Sequence, residues 1–186
     1  MSDGRLIYLV GASGAGKDSV LTRMRALLQP TDRIVVAHRY ITRAADAGGE
    51  NPVALSEPEF LQRRDAGCFA LHWQSHDLHY GIGREIELWL TLGLRVVING
   101  SRAHVPKLTE VCPQAEIVEV IASEPVVRQR LRARGRESEA AIEARLHRNR
   151  ALADCQAALR ILNEGDIDAA AWALLACARG VRVQVS

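Results

Sequence analysis

The apolar run Leu6 to Val10 leads directly into Gly11, Ala12, Ser13, Gly14, Ala15, Gly16 and Lys17, and apolar residues then recur at helical spacing from Ser19 to Leu28. No other stretch constrains the fold as tightly. An uninterrupted apolar strand must be covered on both faces, and a glycine-rich turn straight into a helix is the connection of a parallel sheet packed between helical layers. The turn fits GxxxxGK, with Asp18 where Ser or Thr commonly follows.

That spacing has a chemical meaning. Glycines let successive N–H groups point inward, and the helix start adds the positive end of its dipole, so the turn encloses phosphate oxygens. The amides of residues 11 to 16 and the Lys17 ammonium are therefore read as an ATP site. Lys17 and Lys107 are the only lysines among 24 basic residues, so a lysine here is not compositional drift in an arginine-using chain. A compact point charge suits the terminal phosphates better than a planar fork. Asp18 has two readings: with Ser19 it offers oxygen to Mg²⁺, or it caps the helix start, where acidic residues are favoured.

The 186 residues, 48% hydrophobic with net charge +2, suit one domain with its own core. This balance asks for no nucleic-acid partner. Cys68, Cys112, Cys155 and Cys177 form no CxxC, and no leader or long apolar span is evident, so a reduced, cytoplasmic protein without a membrane segment is expected. A homodimer is compatible with the sequence.

Candidate strands are Leu6 to Val10, Ile34 to Ala37, Arg95 to Ile98, Ile117 to Ile121 and Ala158 to Leu162. Amphipathic stretches lie between them at Ser19 to Leu28, Arg84 to Leu92, Pro125 to Arg134 and Glu139 to Leu152, which is a doubly wound α/β signature. The core is assigned to 1–37, 83–133 and 146–186. Intervals 38–82 and 134–145 break the alternation and read as insertions over the sheet's carboxyl edge, where such folds bind ligands.

In the first insertion, Ser56 and Glu59 form a capping box that starts a helix from Glu57 to about Ala66. Tyr40, Thr42 and Arg43 suit an anionic substrate, with a solvated loop arginine as the alternative for Arg43. Two short strands with a turn then carry Trp73, His76, His79 and Tyr80, a polar and aromatic wall for the acceptor. The strand geometry scatters His72, His76 and His79, so no metal is expected on them. In the second insertion Arg130 and Arg134 share a helix face, Gly135 breaks the helix, Ser138 caps the next, and Arg145 and Arg148 recur on its inner side. Such a hairpin is either a solvated surface, with Glu137, Glu139 and Glu143 pairing several of the arginines, or a lid that closes on ATP, bringing positive charge and excluding water; beside a phosphate-binding loop the lid is favoured.

The order of the glycine-rich loop, "YITR", "HYGI", "ASEPVVRQRLRARGRESEAAIEARL" and "ILNEGD" resembles the guanylate kinase-like branch of P-loop kinases over nearly the whole chain. Within that branch, "GASGAGKDS", "RYITRAADAGGENPVALSEPEF", "LHWQSHDLHYGI" and "VVINGSRAHVP" resemble the ribose 1,5-bisphosphate phosphokinases of phosphonate degradation. The resemblance implies a P-loop nucleoside-monophosphate-kinase-like three-layer sandwich: a parallel sheet, a substrate-binding insertion and an arginine-rich lid. It implies ATP with Mg²⁺ as cofactors, and a sugar bisphosphate as the small-molecule substrate, phosphorylated on its 1-phosphate. Lys17, Arg134 and Arg145 would serve the transferring phosphoryl group. Arg130 joins the nucleotide site, while Tyr40, Arg43, Trp73, His76 and Tyr80 would hold the acceptor.

Three positions depart from guanylate kinases. Ala45 and Asp46 stand where a proline and a second arginine continue the "TTR" motif, Leu71 replaces the glutamate that reads guanine, and Asn99 replaces the strand-end aspartate. A guanine reader is poorly supported. A nucleoside monophosphate kinase and a non-catalytic guanylate kinase-like binding module remain as rival readings.

Overall fold

The structure is a computed structural model that describes residues 4–44, 52–75, 77–135, 137–151 and 155–181. Ala45, Asp46 and His76 lie outside the described residues.

The core is a five-stranded sheet. In chain order its strands are β1 (Arg5–Gly11), β2 (Ile34–Val36), β7 (Arg95–Asn99), β8 (Glu116–Ile121) and β9 (Leu159–Leu162), and in space they run β2-β7-β1-β8-β9, all parallel. β1 is central, in register with β7 from Arg5↔Arg95 to Leu9↔Asn99. Alternation splits its apolar run between two layers. Ile7 and Leu9 face α1 (Lys17–Leu27) and α7 (Ile167–Ala178), in a cluster with Val20, Met24, Leu174 and Leu175. Leu6, Tyr8 and Val10 face α3 (Glu85–Thr91) and α4 (Val105–Val111), with Ile86 and Leu108. Helices cover both faces, the three-layer arrangement expected of such a strand.

A second, four-stranded sheet is built from one contiguous stretch: β3 (Tyr40–Ile41), β4 (Val53–Ala54), β5 (Phe69–Ser75) and β6 (Leu78–Gly83), ordered β4-β3-β6-β5. β5 and β6 are the hairpin anticipated for 69–82, antiparallel with Trp73 opposite Tyr80. Between β4 and β5 lies α2 (Glu57–Asp65), whose N-cap Ser56 accepts from the Glu59 N–H at 3.3 Å. Only that half of the capping box forms, because the Glu59 carboxylate takes Arg63 at 2.7 Å instead. Leu71 and Ile82 sink into the Tyr8 layer, fastening this sheet to the core.

Helices α5 (Glu124–Arg134) and α6 (Glu139–Ala151) pack through Val127, Leu131, Ile142 and Leu146. Gly135 ends α5 at φ 61°, a left-handed cap that costs glycine little, and Ser138 accepts from Ala141 N–H at the start of α6. The element ends fall within a residue or two of those anticipated. Helices α4 and α7 and strands β3 and β4 are additional.

Candidate active site

The loop between β1 and α1 fixes the site. Gly16 sits at φ 92° as the residue before α1, and a Cβ there would lie 2.5 Å from the Asn163 Nδ2, so both conformation and space require glycine. Asn163, 2% exposed at the end of β9, donates to the Ala15 carbonyl at 2.8 Å, and Arg130 of α5 reaches the same oxygen at 3.3 Å. Lys17 turns back over the loop, its Nζ 3.3 Å from the Gly11 carbonyl.

Ser13 is clamped from α6. Asn149 accepts from the Ser13 N–H at 3.1 Å and donates to its carbonyl at 3.0 Å, while Arg145 donates to its hydroxyl. Arg145 also pairs with Glu137 at 2.8 Å. The helix hairpin is thus tied to the phosphate loop by three hydrogen bonds on one residue.

Asp18 occupies the first turn of α1 and accepts from the Asn99 side-chain amide at 2.8 Å, across the end of β7. Ser19, the next residue, is exposed. The half-buried Asp18 carboxylate is a hard oxygen donor beside the loop, which fits a Mg²⁺ that takes most of its ligands from phosphate and water. Among the described residues no group of three or more acidic, histidine or cysteine side chains converges, so the donor set suits a nucleotide-borne ion rather than a protein cage.

In front of the loop opens a cleft of about 210 Å³ between the two sheets and α6. Gly11, Ser13 and Lys17 form its floor, Arg145, Arg148 and Asn149 one wall, Arg39, Trp73, Ser75 and Tyr80 the other, and Gly100 to Ala103 its end. Among the described residues, five lining side chains are basic and none is acidic. Trp73 and Tyr80 stack at 5.5 Å with an interplanar angle of 4°, and the Arg39 guanidinium lies 5.3 Å from the Tyr80 ring centre.

Buried polar groups hold this wall. Tyr8 accepts from the Ser101 N–H at 3.1 Å and lies 3.3 Å from Nδ1 of His104, which in turn packs 5.3 Å from Trp73. Burial pushes the Tyr8 phenol up to about 12, against the Ser101 hydrogen bond, and burial followed by the Lys107 charge holds His104 below its ordinary value. Arg102 lies 3.9 Å from the nearly buried Glu119 and donates to the Asn149 carbonyl at 3.2 Å. Burial lowers its affinity for the proton, with Glu119 opposing.

Of the residues expected from sequence, Gly11, Ser13, Lys17, Trp73, Tyr80 and Arg145 meet in this cleft. Ala12, Gly14, Ala15 and Gly16 belong to the adjoining loop, and Arg130 reaches it from α5. Tyr40 is elsewhere: alternation turns it to the far face of the small sheet, 5.4 Å from Phe69, and His79 faces the same way, stacked 5.2 Å from Phe60 and 3.4 Å from Glu57. The anticipated wall is therefore divided between two faces. Arg43 is half-buried after β3 and does not line the cleft, and Arg134 is exposed at the last turn of α5. Sequence reading passed over Arg39, Ser101, Arg102 and Asn149. Asn149 carried a signal, since it lies one helical turn beyond Arg145.

The family model for guanylate kinase matches residues 3–178. The chain is similar to ribose 1,5-bisphosphate phosphokinases from three bacteria. That of Desulfomicrobium baculatum is 48% identical over 164 residues, 88% of each chain. That of Thiobacillus denitrificans is 51% identical over 148 residues, 80% of this chain and 78% of its own. That of Burkholderia pseudomallei is 46% identical over 183 residues, 97% and 98% of the two. Among solved structures, a guanylate kinase from Anaplasma phagocytophilum has the same fold, with a TM-score of 0.69 over 95% of this chain and 85% of that one at 19% identity.

Proposed function

This chain belongs to the guanylate kinase family, and we propose that within it the protein transfers the γ-phosphoryl group of ATP to the 1-phosphate of ribose 1,5-bisphosphate. The products are 5-phosphoribosyl 1-diphosphate and ADP, in phosphonate catabolism. The observation that carries the reading is the cleft before the phosphate loop: among the described residues it has five basic side chains and no acidic one, and Leu71, at the position that the resemblance to guanylate kinases gives to the base-reading glutamate, is buried. A purine reader needs a hydrogen-bonding partner for the base, and leaving one out costs far more selectivity than a poor fit. A bisphosphate needs cations.

The chain's own residues have the following roles. Loop amides from Gly11 to Gly16 bind the ATP phosphates, with Arg130 behind them. Lys17 moves from the Gly11 carbonyl to the terminal phosphates, and Arg145, with Arg134 brought in as the α5–α6 turn closes, stabilises charge on the transferring group. Arg39, Arg148 and the Trp73–Tyr80 pair hold the acceptor, and Arg43, outside the cleft in this structure, joins them only if the small sheet moves toward the loop. Asp18, with Ser19 beside it, faces Mg²⁺, which when bound offsets phosphate charge. No general base is required, because a phosphate acceptor is already ionised near neutral pH and needs only alignment and exclusion of water. Among the described residues no helix is long and apolar enough to cross a membrane.

A coupled assay of ADP release across ribose 1,5-bisphosphate, GMP, AMP and dTMP tests the proposal. Turnover is expected with the sugar bisphosphate at a kcat/KM at least ~10²-fold above any nucleotide. Preference for GMP would replace it with a guanylate kinase, and silence with all four would favour a binding module.

A further inference from the structure

Asp18 and Asn99 each depart from their usual residue, and the structure joins them. Asn99 ends β7 and is 1% exposed; Asp18 opens α1; 81 residues apart in sequence, they meet through Asn99 Nδ2 and Asp18 Oδ1 at 2.8 Å. A primary amide nitrogen only donates and a carboxylate only accepts, so this contact has one polarity. An acid at 99 would set two carboxylates at that separation, where they repel. A serine at 18 would leave a shorter side chain and no charge. Each substitution makes sense only beside the other.

We propose that Asn99 is a positioning residue that holds Asp18, and that the pair carries at the helix start the single metal-facing carboxylate that kinases of this architecture ordinarily place at the strand end. The inference rests on the Mg·ATP reading of the loop but not on the identity of the acceptor. Asn99 engages Oδ1 and so fixes the carboxylate rotamer, leaving Oδ2 as the oxygen for the cation or for one of its waters. A partly buried, charge-assisted hydrogen bond of this length is worth more than a neutral one, and its loss loosens an otherwise half-exposed side chain.

The test is an exchange cycle read without acceptor. Mn²⁺ is titrated by electron paramagnetic resonance into the full-length protein with a non-hydrolysable ATP analogue, for wild type, Asp18→Asn, Asn99→Ala and the double variant Asp18→Asn/Asn99→Asp. Both single changes should weaken Mn²⁺ binding about tenfold, the scale of one hydrogen bond to a charged group. The double variant restores one carboxylate and one amide with their places reversed, and should return to within about threefold of wild type. Thermal melting of each protein without nucleotide runs alongside. An Asn99→Ala protein that melts lower yet holds Mn²⁺ as tightly as wild type overturns the proposal, as does a double variant no better than the product of the single losses. Because no acceptor is present, these outcomes stand whether or not ribose 1,5-bisphosphate proves to be the substrate.

Discussion

The Lys17 ammonium reaches back to the Gly11 carbonyl of its own loop and the residue is not part of the buried core, so its removal separates chemistry from folding. Lys17→Ala should lower kcat by at least ~10² with every acceptor while leaving the melting temperature nearly unchanged; steady-state kinetics with calorimetry decide it. His104 behaves in the opposite way. Burial depresses its proton affinity in the fold, as it does for His72. Below about pH 6.5, the unfolded value, the unfolded chain therefore binds more protons than the native one. Stability is fully present above that pH and is lost as pH falls through the lower folded value. The melting temperature should drop between about pH 7 and pH 5.5, and His104→Gln should flatten the slope, since glutamine does not titrate there. At this scale the sequence disclosed the loop residues, because their chemistry is local. It showed Asp18 and Asn99 as separate oddities, because only folding brings them within a hydrogen bond.

Helix α6 grips the phosphate loop through Arg145 and Asn149 on successive turns, both on Ser13. Arg145→Ala should lower kcat by about 10² and raise the Kd for ATP far less, because its charge matters most when phosphoryl negative charge is developing. Asn149→Ala should act on ATP affinity instead, by freeing the Ser13 backbone, and isothermal titration separates the two. Arg134 is exposed, and on the proposal that it enters only when the hairpin closes, Arg134→Ala should reduce kcat with little effect on Kd. The elements themselves differed in legibility. β1 is an unbroken apolar run, α1 and α5 are bounded by Gly16 and Gly135, and α6 opens on the Ser138 cap. Helix α7, nearly all apolar from Ile167 to Ala178, has no polar stripe to set its period, and α4 spans seven residues behind Pro106. The two-residue strands β3 and β4 owe their pairing to β6 and to each other rather than to any pattern of their own.

For the whole molecule, a net charge of only +2 conceals an uneven distribution: among the described residues five cations and no carboxylate line one cleft, although Glu137 and Glu119 stand behind Arg145 and Arg102. A bisphosphate should be steered to that cleft, so kcat/KM should fall several-fold between ~20 and ~200 mM salt as screening shortens the field. A rate indifferent to salt would mean that local contacts alone capture the acceptor. The class of fold was readable from alternating elements, whereas the strand order and the cleft it creates were not, because Arg39, Arg102 and Asn149 converge from distant parts of the chain. The small sheet, finally, draws all four strands from the contiguous stretch Tyr40 to Gly83, while the ATP-gripping loop lies wholly outside it. One wall of the cleft, carrying Trp73, Ser75 and Tyr80, is therefore a single stretch of chain, whereas Arg39, Arg145 and Arg148 reach the cleft from outside it. A segment exchanged between kinases of this fold would remodel that wall alone, and it would need an underside like Leu71, Trp73 and Ile82 to seat on Tyr8 and His104.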